Sequence, residues 1–257
     1  MYSVRSYTRK HGSTNLNILI ANILATAALS WYLSIDYLII YCSSSLVHLI
    51  IESGLSLSGI RKGGVYVYGR KLPRIADVFL RALVEGPAFC IPAFFVADHF
   101  MSGQIEIGIG AAVLMVGLGS LYMGFSDRNN LRQLGPEDEA LLSRRAMTRP
   151  GAVMLLALIN TGCLAAFFLM PAPYRAHAFA YLIAYALLVM LFYLINYNLG
   201  VRMIELYDAK EDKFNRPGPV FQAAALTYDS AYEMALLISP AYWLTFYLGF
   251  FHYATIA

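Results

Sequence analysis

Long apolar segments are the feature that most restricts how this 257-residue chain can fold. A helix needs about 20 mostly apolar residues to cross a bilayer, and the sequence contains seven stretches of about that length or longer. Backbone polar groups at bilayer depth need internal partners, and these segments are too long for barrel strands, so we predict helices. The seven predicted spans are residues 16–35, 37–59, 76–98, 104–125, 151–171, 177–200 and 220–250.

The composition agrees with a membrane location for the whole chain. Hydrophobic residues make up 59% of the sequence and charged residues 14%, whereas a soluble domain usually carries about a quarter charged residues. The apolar excess extends over the full length, which excludes a soluble domain with one anchor. We therefore predict a single all-α domain over residues 1–257, a seven-transmembrane-helix bundle in a bacterial inner membrane or the endoplasmic reticulum.

The basic residues predict the orientation of this bundle. Of the 19 lysines and arginines, all except Arg175 lie in or next to the N-terminal tail and the second, fourth and sixth connections. With seven spans these regions share one side of the membrane. By the positive-inside rule the N-terminus is then cytoplasmic and the C-terminus lies on the opposite side. No basic tract interleaved with aromatic residues indicates binding to nucleic acid.

Several polar side chains interrupt the predicted spans. His48 and Glu52 are four residues apart in the second span, so they lie on one helical face. Ionisable groups at bilayer depth cost about 2.5–3.5 kcal/mol each on insertion scales, which makes them candidates for a functional site. Counting about 1.5 Å per residue places one set at a similar depth in the cytoplasmic half. The set is His48, Glu52, Glu85, Asn196, Asp229 and Glu233.

The acidic members of this set predict proton chemistry. The set contains four carboxylates and one histidine, and a single arginine lies near this depth, so the carboxylates cannot all be neutralised in pairs. At least one carboxylate is therefore expected to hold a proton that it can donate. No cofactor motif, HExxH sequence or histidine box is present, so we expect neither a cofactor nor a metal. The catalytic candidates are His48, Glu52, Glu85, Asp229 and Glu233, and the substrate-binding candidates are Tyr41, Asn196, Asn198, Tyr228, Tyr232 and Trp243.

The segment His48-Leu49-Ile50-Ile51-Glu52 resembles the second-helix motif of the emopamil-binding protein (EXPERA) family. Glu85, followed by Gly86-Pro87, is similar to the glutamate that this family places on its third helix. The family includes a sterol Δ8–Δ7 isomerase, so the resemblance implies a lipophilic pocket in which a carboxylic acid protonates an alkene. The family has four or five helices, and its later Asn-x-x-Trp pattern has no counterpart in this sequence.

A second resemblance is to the small integral-membrane terpene cyclases, which also have seven helices and intramembrane acidic residues. Both resemblances imply an acid-initiated isomerisation or cyclisation of a lipophilic isoprenoid or sterol-like substrate taken from the membrane lipids. Glu52 or Glu85 would donate the proton, and Asp229 or Glu233 would accept one. The non-enzymatic alternatives are a lipid-binding receptor, a proton-coupled transporter and an accessory subunit of a membrane complex, and a homo-oligomer is compatible with each.

Overall fold

Helices dominate the architecture. The computed structural model describes residues 2–7, 14–57, 64–133, 142–146, 150–208, 210–211, 213–233 and 239–248. The helices of this part of the chain are α1 Thr14–Tyr32, α2 Asp36–Leu57, α3 Arg74–Glu85, α4 Pro87–Met101, α5 Ile105–Gln133, α6 Pro150–Leu169, α7 Ala172–Asn198, α8 Pro219–Glu233 and α9 Ser239–Tyr247.

Five helical stretches in the described residues are long and apolar enough to cross a membrane. They are Thr14–Tyr32, Asp36–Leu57, Arg74–Met101, Ile105–Asn130 and Ala172–Asn198, and they match the first four predicted spans and the sixth. The fifth predicted span corresponds to the 20-residue α6. The seventh is divided between α8 and α9, and residues 234–238 between them lie outside the described part. The helical class is confirmed, while the count of seven spans and their orientation stay predictions.

The centre of the bundle is formed by α4 and α7, which pack against each other and against α5. Large side chains on the outer faces are exposed, among them Trp31, Leu57 and Phe168 at 84%, 80% and 65%. Because soluble proteins rarely expose extended apolar surfaces, contact with lipid explains these faces, and the chain is a multi-pass membrane protein. Among the described residues, the largest fully buried hydrophobic side chains are Tyr37, Ile40, Ile91, Phe94, Tyr181, Tyr185, Ile204 and Tyr242.

A four-stranded antiparallel sheet accompanies the helices, and the sequence analysis did not predict it. Its strands are β1 Tyr2–Tyr7, β4 Leu142–Ala146, β5 Arg202–Asp208 and β6 Lys213–Asn215, in the order β4-β1-β5-β6. Val4 lies opposite Arg145 on one side and Ile204 on the other. The sheet thus joins the N-terminal tail to the connections after α5 and α7, three regions that the charge pattern predicts on one side of the membrane.

A short hairpin connects α2 to α3. Its strands, β2 Tyr66–Val67 and β3 Arg70–Lys71, pair in antiparallel fashion. Tyr68 and Gly69 between them have positive φ angles of 50° and 76°. Positive φ at both central residues is what a two-residue type I′ turn requires, and glycine meets that need at low cost. The hairpin returns the chain to the end of α2, where α3 begins.

A one-residue break at Gly86 separates α3 from α4. Pro87 occupies the first position of α4, where its missing N–H costs nothing because that donor has no partner within a helix. A Cβ atom on Gly86 would lie 2.8 Å from the Ser44 carbonyl oxygen and 3.1 Å from the His48 Cβ. Glycine is therefore needed at this break because its backbone lies directly against α2. This close approach brings the last residue of α3, Glu85, to His48.

Candidate functional site

His48, Glu52 and Glu85, referred to below as the His48 cluster, converge between α2 and the end of α3. The His48 Nε2 atom is 3.6 Å from Glu52 Oε1 and 3.6 Å from Glu85 Oε2. His48 and Glu52 are buried, while the Glu85 side chain is 34% exposed. Within the described residues, neither ring nitrogen of His48 has a hydrogen-bond partner. Three of the predicted catalytic residues thus meet at one point.

A row of charges on α3 continues the cluster. Arg81 donates from Nε to Asp77 Oδ1 at 2.7 Å and from Nη1 to Glu85 Oε1 at 3.3 Å. One oxygen of Glu85 therefore faces Arg81 and the other faces His48. The i, i+4 spacing of Asp77, Arg81 and Glu85 produces this row because residues four apart are neighbours on a helix surface. Arg81 consequently orients the Glu85 carboxylate.

A polar cavity of about 460 Å³ borders the His48 cluster. Glu52 lines it, so the buried carboxylate is reached from this cavity. Arg74 donates from Nε to Ser56 Oγ at 2.8 Å, which joins the start of α3 to the end of α2 at the cavity wall. The other charged lining residues are Lys71, Asp77 and Arg81. The cavity therefore places Glu52 beside the charged side chains of α3.

A second cavity, of about 420 Å³ and mostly apolar, lies between α1, α4 and α5. Asn22 lines it and donates from Nδ2 to the Val84 carbonyl oxygen at 3.0 Å. Pro87 and Ala88 line it as well. The cavity wall therefore includes Pro87, which is two residues after Glu85. It also includes Asn22, which is hydrogen-bonded to Val84, the residue before Glu85. An apolar ligand held there would lie beside the end of α3.

Asp229 pairs with a basic residue of the sheet. Its buried carboxylate pairs with Arg202 of β5, and the Arg202 guanidinium lies 3.8 Å from the centre of the Tyr193 ring. Asp229 thereby ties α8 to the sheet and to α7. Tyr232 and Glu233 belong to the last turn of α8, and their side chains lie outside the described part of the structure, so their predicted roles stay predictions.

The two predicted asparagines bond within their own helix. Asn196 is buried and donates from Nδ2 to the Phe192 carbonyl oxygen at 2.9 Å. Asn198 is exposed and donates to the Leu194 carbonyl oxygen at 2.7 Å. Both side chains satisfy the carbonyl one turn earlier. The amide group of each asparagine is therefore hydrogen-bonded within the protein, and neither needs a bound ligand to explain its position.

The predicted aromatic residues divide between two regions. The Tyr41 hydroxyl lies 3.5 Å from the Leu83 carbonyl oxygen of α3, near the His48 cluster. Tyr228 is partly buried against the core. Trp243 is buried in α9, where its ring lies 5.2 Å from that of Tyr242. Tyr41 is thus the aromatic candidate that a described contact ties to α3.

A second buried histidine network was missed by the sequence analysis. It consists of Tyr37, Asp98, His177 and Tyr242, referred to below as the His177 cluster. The Tyr37 hydroxyl donates to Asp98 Oδ2 at 2.6 Å, and His177 Nε2 lies 3.0 Å from Asp98 Oδ1. His177 Nδ1 lies 2.8 Å from the Tyr242 hydroxyl. A carboxylate near the end of the apolar segment Pro87–Met101 was the available signal.

Comparison with known proteins adds no assignment, since no protein-family model, curated protein or solved structure matches this chain. The resemblance of the His48–Glu52 motif to the emopamil-binding protein family, and of the chain to membrane terpene cyclases, therefore stays a prediction. The function has to be inferred from the contacts, burial and charge of the residues themselves.

Proposed function

We propose that this protein is a membrane enzyme that isomerises or cyclises a lipophilic isoprenoid or sterol-like substrate by acid-initiated chemistry. In this proposal the chain crosses a bacterial inner membrane or the endoplasmic reticulum seven times, with its N-terminus in the cytoplasm. The sheet that joins the tail to two connections supports the orientation, because those three regions then lie on the same side.

The observation that carries the proposal is the His48 cluster, in which one imidazole nitrogen lies 3.6 Å from each of two carboxylates. In this proposal one of the two glutamates holds the proton that starts the reaction, and Asp77 and Arg81 pair with each other beside it. A neutral carboxylic acid in an apolar surrounding is a proton donor of the kind that general acid catalysis uses.

The reaction conserves protons and electrons. Glu85 as an acid gives its proton to one alkene carbon, so that the π electron pair forms the new C–H bond and leaves a carbocation. Loss of a proton from a neighbouring carbon to a carboxylate of the cluster forms the double bond at its new position. In a cyclisation, a second alkene attacks the cation before that proton is lost. No cofactor is consumed in either case.

The two cavities have different roles in this proposal. The apolar cavity between α1, α4 and α5 holds the hydrocarbon beside the end of α3. Glu52 exchanges protons through the polar cavity, and His48 passes them between the two glutamates. Because Asp229 pairs with Arg202, we assign the proton-accepting role first to the cluster. Tyr41 supplies an aromatic face near the cation.

Deuterium incorporation tests this function. We would incubate the purified protein in lipid nanodiscs in D2O with a Δ8-sterol, a prenylated aromatic alkene or a total bacterial lipid extract. A protonation followed by loss of a different proton leaves one carbon-bound deuterium in the isomerised product, which mass spectrometry detects. We expect incorporation by the wild type and a loss of about 100-fold or more in Glu52→Gln and in Glu85→Gln.

The controls separate the enzyme from its alternatives. His99→Gln changes a histidine of α4 whose Nδ1 lies 2.9 Å from the Phe95 carbonyl oxygen in its own helix, so turnover should stay unchanged. A receptor, transporter or accessory subunit would leave every lipid unlabelled. Unlabelled lipids from the wild type, or full turnover in both glutamine variants, would overturn the proposal.

A further inference from the structure

The His48 cluster offers three ligand atoms for a metal ion. One ligand atom from each of His48, Glu52 and Glu85 lies within 4.8 Å of the other two. Two atoms 3.6 Å apart, as His48 Nε2 is from either glutamate, subtend about 120° at an ion bound to both at about 2.1 Å. Imidazole nitrogen and carboxylate oxygen are both zinc ligands, and Zn²⁺ favours angles near tetrahedral.

His48 supplies a second and independent reason to expect a ligand. The residue is 2% exposed, and within the described chain neither of its ring nitrogens has a hydrogen-bond partner. A buried polar group left without a partner costs about 1–3 kcal/mol, so such groups are uncommon in native proteins. The Nε2 atom points between Glu52 and Glu85, where a cation bound to both carboxylates would meet it.

Access and charge also suit a divalent cation. Glu52 lines the polar cavity, which provides a route for the ion and a place for water as a fourth ligand. Arg81 bonds Oε1 of Glu85 and leaves Oε2 facing His48, so the ligating oxygen is already directed inward. Asp77 holds Arg81 in turn. Groups that orient a metal's ligands in this way typically change its affinity 10–100-fold.

We propose that His48, Glu52 and Glu85 bind Zn²⁺, and that zinc thereby inhibits the enzyme. A bound ion would occupy the carboxylate oxygens of Glu52 and Glu85 that the proposed reaction uses. The inhibition rests on the function proposed above, whereas the binding does not. A bound ion would also close the path from the polar cavity to Glu85.

Calorimetry with ZnCl2 tests the binding. The full-length protein, stripped of metal with a chelator and held in nanodiscs, should bind one Zn²⁺ per chain. Co²⁺ at the same site should give visible absorption bands of a tetrahedral complex. We expect Glu52→Gln and Glu85→Gln each to weaken binding by at least about tenfold, because each removes one charged ligand. His99→Gln, which removes a histidine outside the cluster, should bind zinc as the wild type does.

The activity measurement tests the inhibition separately. Zinc at saturating concentration should abolish deuterium incorporation by the wild type, and a chelator should restore it. If zinc does not bind, or if the glutamine variants bind it equally well, the metal site is wrong even if the enzyme is active. If zinc binds but leaves turnover unchanged or raises it, the proposed inhibition is wrong. If no lipid is labelled with or without zinc, the enzymatic proposal fails and the calorimetry alone decides the site.

Discussion

The two buried histidine clusters contain the same kinds of groups and use them differently. In the His177 cluster both ring nitrogens have partners, Asp98 at 3.0 Å and the Tyr242 hydroxyl at 2.8 Å. In the His48 cluster neither nitrogen makes a hydrogen bond with a described residue, and two carboxylates stand 3.6 Å from Nε2. A histidine with both ring nitrogens bonded stabilises one packing, whereas a histidine without a hydrogen bond in the described part of the chain keeps capacity for a proton or a ligand.

The surroundings of the two clusters differ as well. The His177 ring packs edge-on against Phe94, with centroids 4.9 Å apart, and stacks on Tyr242 at 5.8 Å. The His48 cluster instead borders a polar cavity through Glu52 and contains the partly exposed Glu85. We infer that the His177 cluster holds α2, α4, α7 and α9 together and that the His48 cluster carries the chemistry.

Removal of the Asp98 carboxylate should cause the largest loss of stability. Asp98→Ala leaves Tyr37 and His177 buried without their acceptor, and breaking a buried pair in this way costs about 3–5 kcal/mol. The free energy of unfolding, measured in mixed detergent micelles, should fall by that amount. Glu106→Ala, which removes an exposed carboxylate from α5, should change it by less than about 0.5 kcal/mol. Equal effects of the two variants would contradict a structural role for the His177 cluster.

Gly86→Ala should disturb the approach of α3 to α2. The new Cβ would lie 2.8 Å from the Ser44 carbonyl oxygen, so the backbone must shift at a cost of about 1–3 kcal/mol. Because the shift moves Glu85 away from His48, deuterium incorporation should also fall. Gly110→Ala in α5 is the matched control, since its Cβ would meet nothing within 4 Å. Unchanged turnover in Gly86→Ala would show that the close approach at Gly86 does not position Glu85 in the His48 cluster.

Arg81→Gln should lower the turnover number by about tenfold, or roughly 1.4 kcal/mol, because Glu85 loses the donor that orients it. The Michaelis constant for the apolar substrate should change little, since Arg81 lines the polar cavity and not the apolar one. Arg81→Lys should restore part of the turnover by returning a positive charge. An effect on the Michaelis constant alone would contradict a positioning role.

Tyr242→Phe should have the smallest effect, about 1 kcal/mol of stability, because it removes one hydrogen bond to His177 and little volume. The unfolding free energy in detergent micelles reports this change. Tyr32→Phe, at a side chain that is 80% exposed, provides the control. Loss of turnover in Tyr242→Phe at full stability would show that the His177 cluster participates in the reaction.

The sequence predicted the helices and much of the His48 cluster because both depend on the order of residues within single segments. Apolar length defines a candidate span, and four-residue spacing places His48 above Glu52 and aligns Asp77, Arg81 and Glu85. Depth can therefore be counted from the sequence. The direction in which a side chain points around the helix axis depends on neighbouring helices, which spacing alone does not reveal.

Asp229 and the His177 cluster show that limit. Asp229 was placed with Glu52 because their depths agree, yet its carboxylate pairs with Arg202 of β5. That partner could not be foreseen because Arg202 lies on a strand of the sheet, which was not predicted from the sequence. The pairing of Asp98 with His177 likewise joins two helices that are distant in sequence. Charge and hydropathy patterns contain little information on such contacts.

The central claim is that His48 serves chemistry and His177 serves structure, and one paired measurement tests it. Deuterium incorporation and the free energy of unfolding would be determined on the same preparations of His48→Gln and His177→Gln. We predict that His48→Gln loses about 100-fold or more of its turnover and keeps its stability within about 1 kcal/mol. His177→Gln should lose about 2 kcal/mol or more of stability and keep its turnover per folded molecule. Full turnover in His48→Gln, or loss of turnover in His177→Gln alone, would contradict the claim.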